Sequence, residues 1–161
     1  MVILVMGVAG SGKTTVGTLL AKQLGWNFLD ADDFHSPDNR DKMHRGIPLT
    51  DVERLPWLAS IHEELLRRTA RGENIVLACS ALRQAYRDIL GKGLKVVLVF
   101  LRATPEQLRR NFRSRTHHFV GENLVPSQLA SLEIPANALV EDISQSPQEI
   151  ATEVCAKLGL D

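Results

Sequence analysis

The feature that most constrains the fold of this chain is a glycine-rich stretch at residues 7–14, which directly follows the apolar run Val2–Met6. Its sequence, GVAGSGKT, fits the pattern G-x-x-x-x-G-K-[ST], which works only as a loop between a buried strand and a helix. Glycines at 7, 10 and 12 let the backbone curl, so that successive N–H groups point inward at the positive end of a helix beginning near Lys13. The sequence therefore predicts a strand, an anion-binding loop and a helix, in that order.

The side chains at the end of this loop indicate what the loop binds. Lys13 is placed to reach the β and γ oxygens of a nucleoside triphosphate, and the Thr14 hydroxyl is placed to ligate Mg²⁺, whose other ligands are phosphate and water. A glycine turn without a ligand requires neither Lys nor Thr after its last glycine. The predicted nucleotide-binding residues of the loop are Gly7, Val8, Ala9, Gly10, Ser11, Gly12, Lys13, Thr14 and Thr15.

Length and charge exclude several classes of protein. With 161 residues the chain is expected to form a single domain. Nineteen basic residues balance nineteen acidic ones, so neither nucleic acid nor a membrane is expected as a principal partner. Cys79 and Cys155 are isolated and lack metal-ligand spacing, and the apolar start is too short for a signal or membrane segment. We therefore expect a cytoplasmic protein with reduced thiols.

Apolar runs alternate with helical patterns along the chain, which predicts an α/β fold with buried parallel strands. The predicted strands are 2–6, 26–29, 75–79, 95–101 and 138–142. Capping signals at Thr104 and Ser146, each followed by proline, predict two of the helix starts. Two polar segments fall outside the pattern, at about 30–56 and about 113–126, and we interpret them as a substrate lobe and a lid.

Acidic residues cluster after the second predicted strand, at Asp30, Asp32 and Asp33. Neither 75–79 nor 95–101 ends in the acidic residue of a Walker B strand, and no Asn-Lys-x-Asp guanine signature occurs. If the second strand lies near the first, the carboxyl ends of both strands bring Asp30 and Asp32 close to the γ-phosphate. One aspartate can then accept the proton of an alcohol while another orients hydrated Mg²⁺.

Three segments together resemble the gluconokinase family. The first is DADDFHSPDNRDKMHRGIPLTDVERLPWL at 30–58, and the second is CSALR at 79–83 with Tyr86-Arg87-Asp88. The third contains RTHHF at 115–119, Ser127-Gln128 and LEIP at 132–135, and it resembles the family's lid and the helix that follows. Many families share the phosphate-binding loop, but this ordered combination covers nearly the whole chain.

The resemblance implies ATP-dependent phosphorylation of D-gluconate at its 6-hydroxyl, with Mg²⁺. It also implies a P-loop fold of the nucleoside monophosphate kinase type, with a central five-stranded parallel sheet flanked by helices, and commonly a homodimer. The implied catalytic residues are Lys13, Asp32 and Arg115, with Thr14 and, through water, Asp30 at the metal. The implied gluconate-binding residues are Asp32, His35, Lys42, Arg54, Arg83, Arg87 and His118.

Cations are needed because gluconate carries a carboxylate, and Arg83, just past a strand end, is the first choice for that carboxylate, with Arg54 second. The family tends to place an arginine four residues before Arg115, where this chain has Asn111, so the adjacent Arg110 is the candidate nucleotide contact. Two alternatives stay open. A shikimate kinase usually has a glycine triplet where this chain has Cys-Ser-Ala at 79–81, and a nucleotide-binding regulator without catalysis has no need of Lys13 and Asp32.

Overall fold

The computed structural model describes residues 1–114 and 122–160, and within them five parallel strands form one sheet. The strands are β1 Val2–Met6, β2 Asn27–Asp30, β3 Ile75–Ala78, β4 Val96–Arg102 and β5 Leu139–Asp142. The helices are α1 Lys13–Leu24, α2 Pro37–His44, α3 Asp51–Ala70, α4 Gln84–Gly91, α5 Pro105–Ser114, α6 Val125–Ser131 and α7 Pro147–Leu158. Short 3₁₀ turns occupy Ala31–Phe34 and Glu122–Leu124. The predicted α/β fold with a five-stranded parallel sheet is confirmed.

The strand order is β2-β3-β1-β4-β5. β2 does not neighbour β1, because β3 lies between them. The register nevertheless keeps the carboxyl ends level: Asp30 pairs with Ala78 on one side of β3, and Val5 pairs with Ala78 on the other. The acidic residues after β2 therefore still face the same edge of the sheet as the glycine-rich loop after β1.

Helices cover both faces of the sheet, because each presents an apolar stripe to it. On one face, Val16 and Leu20 of α1 pack with Ile150 and Val154 of α7 against the strands. On the other face, the stripes of α3 and α4 bury Trp57, Leu58, Ile61, Leu65, Tyr86 and Leu90. This packing fixes the N-terminal turns of α1 and α3, whose residues line the candidate site.

Helix starts follow the capping chemistry. The expected caps at Thr104 and Ser146 are present, since each hydroxyl accepts a hydrogen bond from the backbone N–H three residues on. A further capping box, formed by Thr50 and Glu53, begins α3 at Asp51, so Pro56 lies inside this helix. The helix thus begins within the polar segment 30–56.

Among the helices of residues 1–114 and 122–160, none combines the length and the apolar character needed to cross a membrane.

Candidate active site

The glycine-rich loop curls over the start of α1. Gly10 and Gly12 have φ angles of 84° and 96°, in the left-handed region that side chains disfavour. Gly10 is also closely packed, because a Cβ there would lie 2.6 Å from a ring carbon of Phe112. The loop therefore has the shape expected of an anion nest at a helix N-terminus, with Gly12 as the N-cap of α1.

The two side chains that follow the loop contact different partners. Lys13 Nζ donates a hydrogen bond to the Val8 carbonyl at 3.1 Å, within the loop itself. The Thr14 hydroxyl donates to Asp30 Oδ2 at 2.8 Å, and Asp30 Oδ1 accepts from the Asp32 backbone N–H at 3.0 Å. These contacts join the start of α1 to the acidic turn after β2, although β3 separates the two strands.

The carboxyl group of Asp32 has a raised pKa. Burial raises its pKa to about 6, and the neighbouring charge of Asp30 acts in the same direction, while Lys13 opposes the shift. Burial disfavours the charged form of a carboxyl group, and a base with a pKa near neutrality suits proton transfer at physiological pH. Asp32 therefore has the environment of a general base.

A cavity of about 440 Å³ opens at this edge of the sheet. It is bounded by the glycine-rich loop, the acidic turn after β2, the segment from α2 to α3 and the loop after β3. Of the residues assigned from the sequence, those that line the cavity are Ala9, Gly10, Gly12, Lys13, Thr14, Thr15, Asp30, Asp32, His35 and Arg54. The phosphate-binding and acidic residues thus share one cavity with candidate sugar-acid ligands.

His35 lies in the wall of this cavity and stacks on Trp57, with ring centroids 4.1 Å apart. Trp57 is fixed in turn, because its Nε1 donates to the Ala31 carbonyl at 2.7 Å. Burial lowers the His35 pKa to about 4, and the positive charges of Arg40 and Arg54 act in the same direction. The imidazole is therefore neutral near pH 7 and offers a hydrogen-bonding ring rather than a charge.

Arg54 lines the cavity, and contacts with Tyr86 and Asp51 fix the position of its guanidinium. Its Nη1 donates to the Tyr86 hydroxyl at 3.1 Å, and this hydroxyl donates to Asp51 Oδ1 at 2.5 Å. The guanidinium also lies 3.7 Å from Asp51 and sits over the Tyr86 ring, 5.4 Å from its centroid. Three contacts therefore restrict Arg54 while its side chain still lines the cavity.

Three other cations assigned to the substrate, Lys42, Arg83 and Arg87, lie outside the cavity lining. Arg83, the first choice for the carboxylate, is exposed at the N-cap of α4. Lys42 forms a short ion pair with Glu53, and this pairing lowers the Glu53 pKa to about 2 together with hydrogen bonds from Thr50. The structure therefore favours Arg54 over Arg83 and Lys42 for a carboxylate in the cavity.

Arg87 is buried, and the Nη1 and Nη2 groups of its guanidinium donate hydrogen bonds within the protein. It donates to the carbonyls of Ala81 at 2.7 Å and Glu133 at 2.9 Å. Ala81 has a φ angle of 45°, a strained value for a residue with a side chain, so Arg87 fixes the strained turn after β3. This geometry gives Arg87 a structural role in the turn, and the substrate contact expected from the sequence stays a prediction.

Replacing Arg87 by alanine is expected to lower the free energy of unfolding by about 2–4 kcal/mol, because the buried Ala81 carbonyl and the partly buried Glu133 carbonyl lose their donors. Urea unfolding followed by circular dichroism measures this loss. The matched control is Arg83→Ala, an exposed arginine four residues earlier, which should change stability by less than about 0.5 kcal/mol. Equal stability of the two variants would contradict the structural role.

The other predicted nucleotide and lid residues are Arg110, Arg115 and His118. Arg110 is exposed on α5 and does not line the cavity. Its neighbour Asn111 contacts the glycine-rich loop instead, with Nδ2 donating to the Gly10 carbonyl at 2.7 Å. Arg115 and His118 lie outside the described residues, as does half of the lid expected at about 113–126.

Sequence reasoning did not assign a role to three residues that line the cavity, Arg40, Tyr86 and Gln128. Arg40 braces the acidic turn, since its Nη2 donates to the Asp32 carbonyl at 3.0 Å. All three lie in segments that carry the family resemblance, and this was the available signal. Nothing local in the sequence shows which residues of those segments face inward.

Thr14 and Asp30 fit a bound Mg²⁺. A hydroxyl and a carboxylate are hard oxygen ligands, and Mg²⁺ usually takes one or two such groups and keeps water and phosphate as its other ligands. Within residues 1–114 and 122–160, no three His, Cys, Asp or Glu side chains group into an all-protein metal site. The arrangement therefore suits a metal held jointly with a nucleotide.

The chain is similar to known kinases both in sequence and in structure. Residues 2–135 match a family described as an AAA domain. The chain is 43% identical to a probable gluconokinase of Rattus norvegicus, over 98% of this chain and 97% of the rat protein. A gluconokinase from Sinorhizobium meliloti 1021 superposes with a TM-score of 0.86 at 41% identity, covering 98% of this chain and 90% of that one. A sugar kinase from Janibacter sp. HTCC2649 superposes with a TM-score of 0.92 at 39% identity, over 99% and 94% of the two chains.

Proposed function

Because the chain belongs to the gluconokinase family, we propose that it transfers the γ-phosphoryl group of ATP to the 6-hydroxyl of D-gluconate. The observation that carries this proposal is the single cavity in which the phosphate loop, Asp32 and Arg54 meet. A phosphate site, a proton acceptor and a cation for a carboxylate are the three elements that phosphorylation of a sugar acid requires.

The phosphate loop provides the first element. Backbone N–H groups around Gly12 and the positive end of α1 bind the phosphates, and Lys13 exchanges its contact with the Val8 carbonyl for phosphate oxygens. A charged donor fixed near the γ-phosphate stabilises the charge that develops on the transferring group. Thr14 and Asp30 would hold Mg²⁺, which supplies charge neutralisation at the phosphates when it is bound.

Asp32 provides the second element. As the 6-hydroxyl oxygen forms its bond to phosphorus and the bond to the β-phosphate oxygen breaks, the hydroxyl proton passes to the Asp32 carboxylate. Its pKa of about 6 allows the residue to be ionised at pH 7 and still to bind the proton during transfer. Hydrogen bonds around Asp30 and from Arg40 hold the backbone of this turn in place.

Arg54 provides the third element, with neutral His35 as a second polar group. The planar guanidinium can form paired hydrogen bonds with the gluconate carboxylate, and the Tyr86 hydroxyl and Asp51 preorganise it. His35 can accept or donate a hydrogen bond to a hydroxyl of the polyol chain. A nucleoside monophosphate has no carboxylate to match Arg54, and the Cys-Ser-Ala turn at 79–81 differs from the glycine triplet usual in shikimate kinases.

The proposal extends to features that rest on the family resemblance. We propose a cytoplasmic homodimer that uses ATP and Mg²⁺, with residues 1–161 as one kinase domain and neither nucleic acid nor membrane as a partner. The substrate lobe at about 30–56 and the lid at about 113–126 belong to this proposal. Arg115 is proposed as a catalytic lid residue, Arg110 as a nucleotide contact and His118 as a gluconate contact.

A screen of phosphoryl acceptors tests the activity. ADP release, coupled to pyruvate kinase and lactate dehydrogenase, should be fast with D-gluconate and close to background with shikimate or nucleoside monophosphates. Phosphorus NMR of the product should show a phosphate monoester. ATP binding without transfer to gluconate would support the regulator instead, and faster transfer to shikimate would support the shikimate kinase alternative.

Arg54→Ala should lower kcat/KM for gluconate by roughly 30-fold or more, because an unpaired carboxylate in a partly desolvated site costs about 2–5 kcal/mol. Steady-state kinetics measures the loss, and ATP affinity should stay within about twofold. Arg83→Ala is the matched control, since this arginine is exposed outside the cavity lining. The neutral polyol glucitol should be a poor substrate that loses little further with Arg54→Ala. A larger loss of gluconate kcat/KM with Arg83→Ala than with Arg54→Ala would show that Arg83 binds the carboxylate.

A further inference from the structure

The side chain of Gln128 on α6 forms a contact that fixes its orientation. Its Oε1 accepts a hydrogen bond from the Ala9 backbone N–H of the phosphate loop at 2.7 Å. Only the oxygen of a side-chain amide can accept from an N–H, so this contact determines which end of the amide is the oxygen. The NH₂ group is thereby left at the other end, with two hydrogen-bond donors.

These donors lie at the cavity. Gln128 is half-buried and lines it, and among the described residues Nε2 has no hydrogen-bond partner. A donor group at the wall of a ligand cavity is well placed to exchange bound water for a ligand oxygen.

The position of α6 indicates which ligand supplies the oxygen that accepts from Nε2. Leu124, directly before the helix, packs with Met43 and Leu49 of the substrate lobe and also lines the cavity. Gln128 therefore lies between the phosphate loop and the substrate lobe, at the wall of the cavity that both line. The side-chain amide of Gln128 is neutral, which suits a hydrogen bond to a hydroxyl group. The charged groups of the reactants, the phosphates of ATP and the carboxylate of gluconate, are assigned to Lys13 and Arg54 instead.

We propose that Gln128 is a substrate-binding residue whose Nε2 donates a hydrogen bond to a hydroxyl oxygen of the acceptor's polyol chain. Ala9 acts as the anchor that orients it. The inference rests on the proposed function, since it takes gluconate as the acceptor. It adds a specificity determinant from α6 to the ligands assigned in the substrate lobe.

Asn111 provides a matched control. Its side-chain amide also contacts the phosphate loop, through Nδ2 and the Gly10 carbonyl at 2.7 Å, but it does not line the cavity. If the amides only support the loop, Gln128 and Asn111 variants should both act on nucleotide binding. If Gln128 also binds the acceptor, only its variants should act on gluconate.

The test measures gluconate binding by calorimetry in the presence of Mg²⁺ and the non-hydrolysable analogue AMPPNP. Gln128→Met should weaken gluconate by roughly three- to tenfold, the effect of one lost hydrogen bond, with AMPPNP affinity within about twofold. Gln128→Glu keeps an acceptor for Ala9 but has no N–H donors, so it should also weaken gluconate. It serves as the second variant if Gln128→Met unfolds. Asn111→Ala should leave gluconate affinity unchanged.

Deoxygluconates lacking one hydroxyl each identify the contact. One of them should bind the wild type weakly and lose nothing further with Gln128→Met, because both changes remove the same hydrogen bond. Full additivity with every analogue, or equal gluconate affinity of wild type and Gln128 variants, would overturn the inference alone. Absence of gluconate binding to the wild type would overturn the proposed function and this inference together.

Discussion

Lys13→Ala is expected to lower kcat by at least about 100-fold, because it removes the charged donor that stabilises the transferring phosphoryl group. The fold should persist, since Lys13 is only partly buried and its Nζ contact is to the Val8 carbonyl within the loop. Initial rates at saturating ATP and gluconate measure the loss, and the melting temperature without nucleotide should barely move.

A lysine at the other end of the same helix provides the control for Lys13. Lys22 lies in the last turn of α1 and is exposed, so Lys22→Ala should retain wild-type turnover. Wild-type turnover in a folded Lys13→Ala protein would show that the loop does not bind the reacting phosphate in the proposed manner.

Asp32→Asn is expected to lower kcat by roughly 10²- to 10⁴-fold while leaving ATP affinity nearly unchanged, because the amide keeps the shape but cannot accept the proton. The wild-type kcat/KM should rise with pH through about 6 and then level off, as Asp32 ionises. A pH–rate profile from pH 5 to 8 checks this. A profile that is flat through pH 6 would contradict the assignment.

The same substitution should stabilise the fold near neutral pH. The folded pKa of Asp32, about 6, lies above its ordinary value of 3.8, so the folded state binds more protons than the unfolded chain between these values. Stability is therefore lost as pH rises through this window, and the loss is complete above pH 6. Asp32→Asn should raise the melting temperature at pH 7.5 and have little effect at pH 3.5.

Asp33 offers a comparison for both measurements. Its side chain is 78% exposed, and Arg40 Nη2 lies 4.0 Å from its Oδ1. Asp33→Asn should reduce kcat far less than Asp32→Asn, and it should not raise the melting temperature. A larger kcat loss with Asp33→Asn would make Asp33 the base.

Local patterns in the chain were sufficient for the architecture and for the phosphate loop. Apolar runs predicted all five strands, each with both ends within one residue of its observed bound. The signal is strongest for β1 and β3, which are buried throughout, because a buried parallel strand needs apolar side chains on both faces. The loop could be recognised because its φ angles and the close contact of Gly10 with Phe112 require glycine at defined spacing. Lys13 and Thr14 follow directly, so their place at the site was determined with them.

The tertiary structure decided which polar side chains reach the cavity. Arg54, Arg83 and Arg87 are equally basic in the sequence, yet Arg54 lines the cavity, Arg83 is exposed and Arg87 is buried against backbone carbonyls. The order of the strands, the pKa of Asp32 and the orientation of Gln128 likewise depend on partners far away along the chain. Periodicity and turn chemistry reflect interactions between near neighbours, whereas burial and electrostatics depend on contacts that exist only once distant segments have packed together.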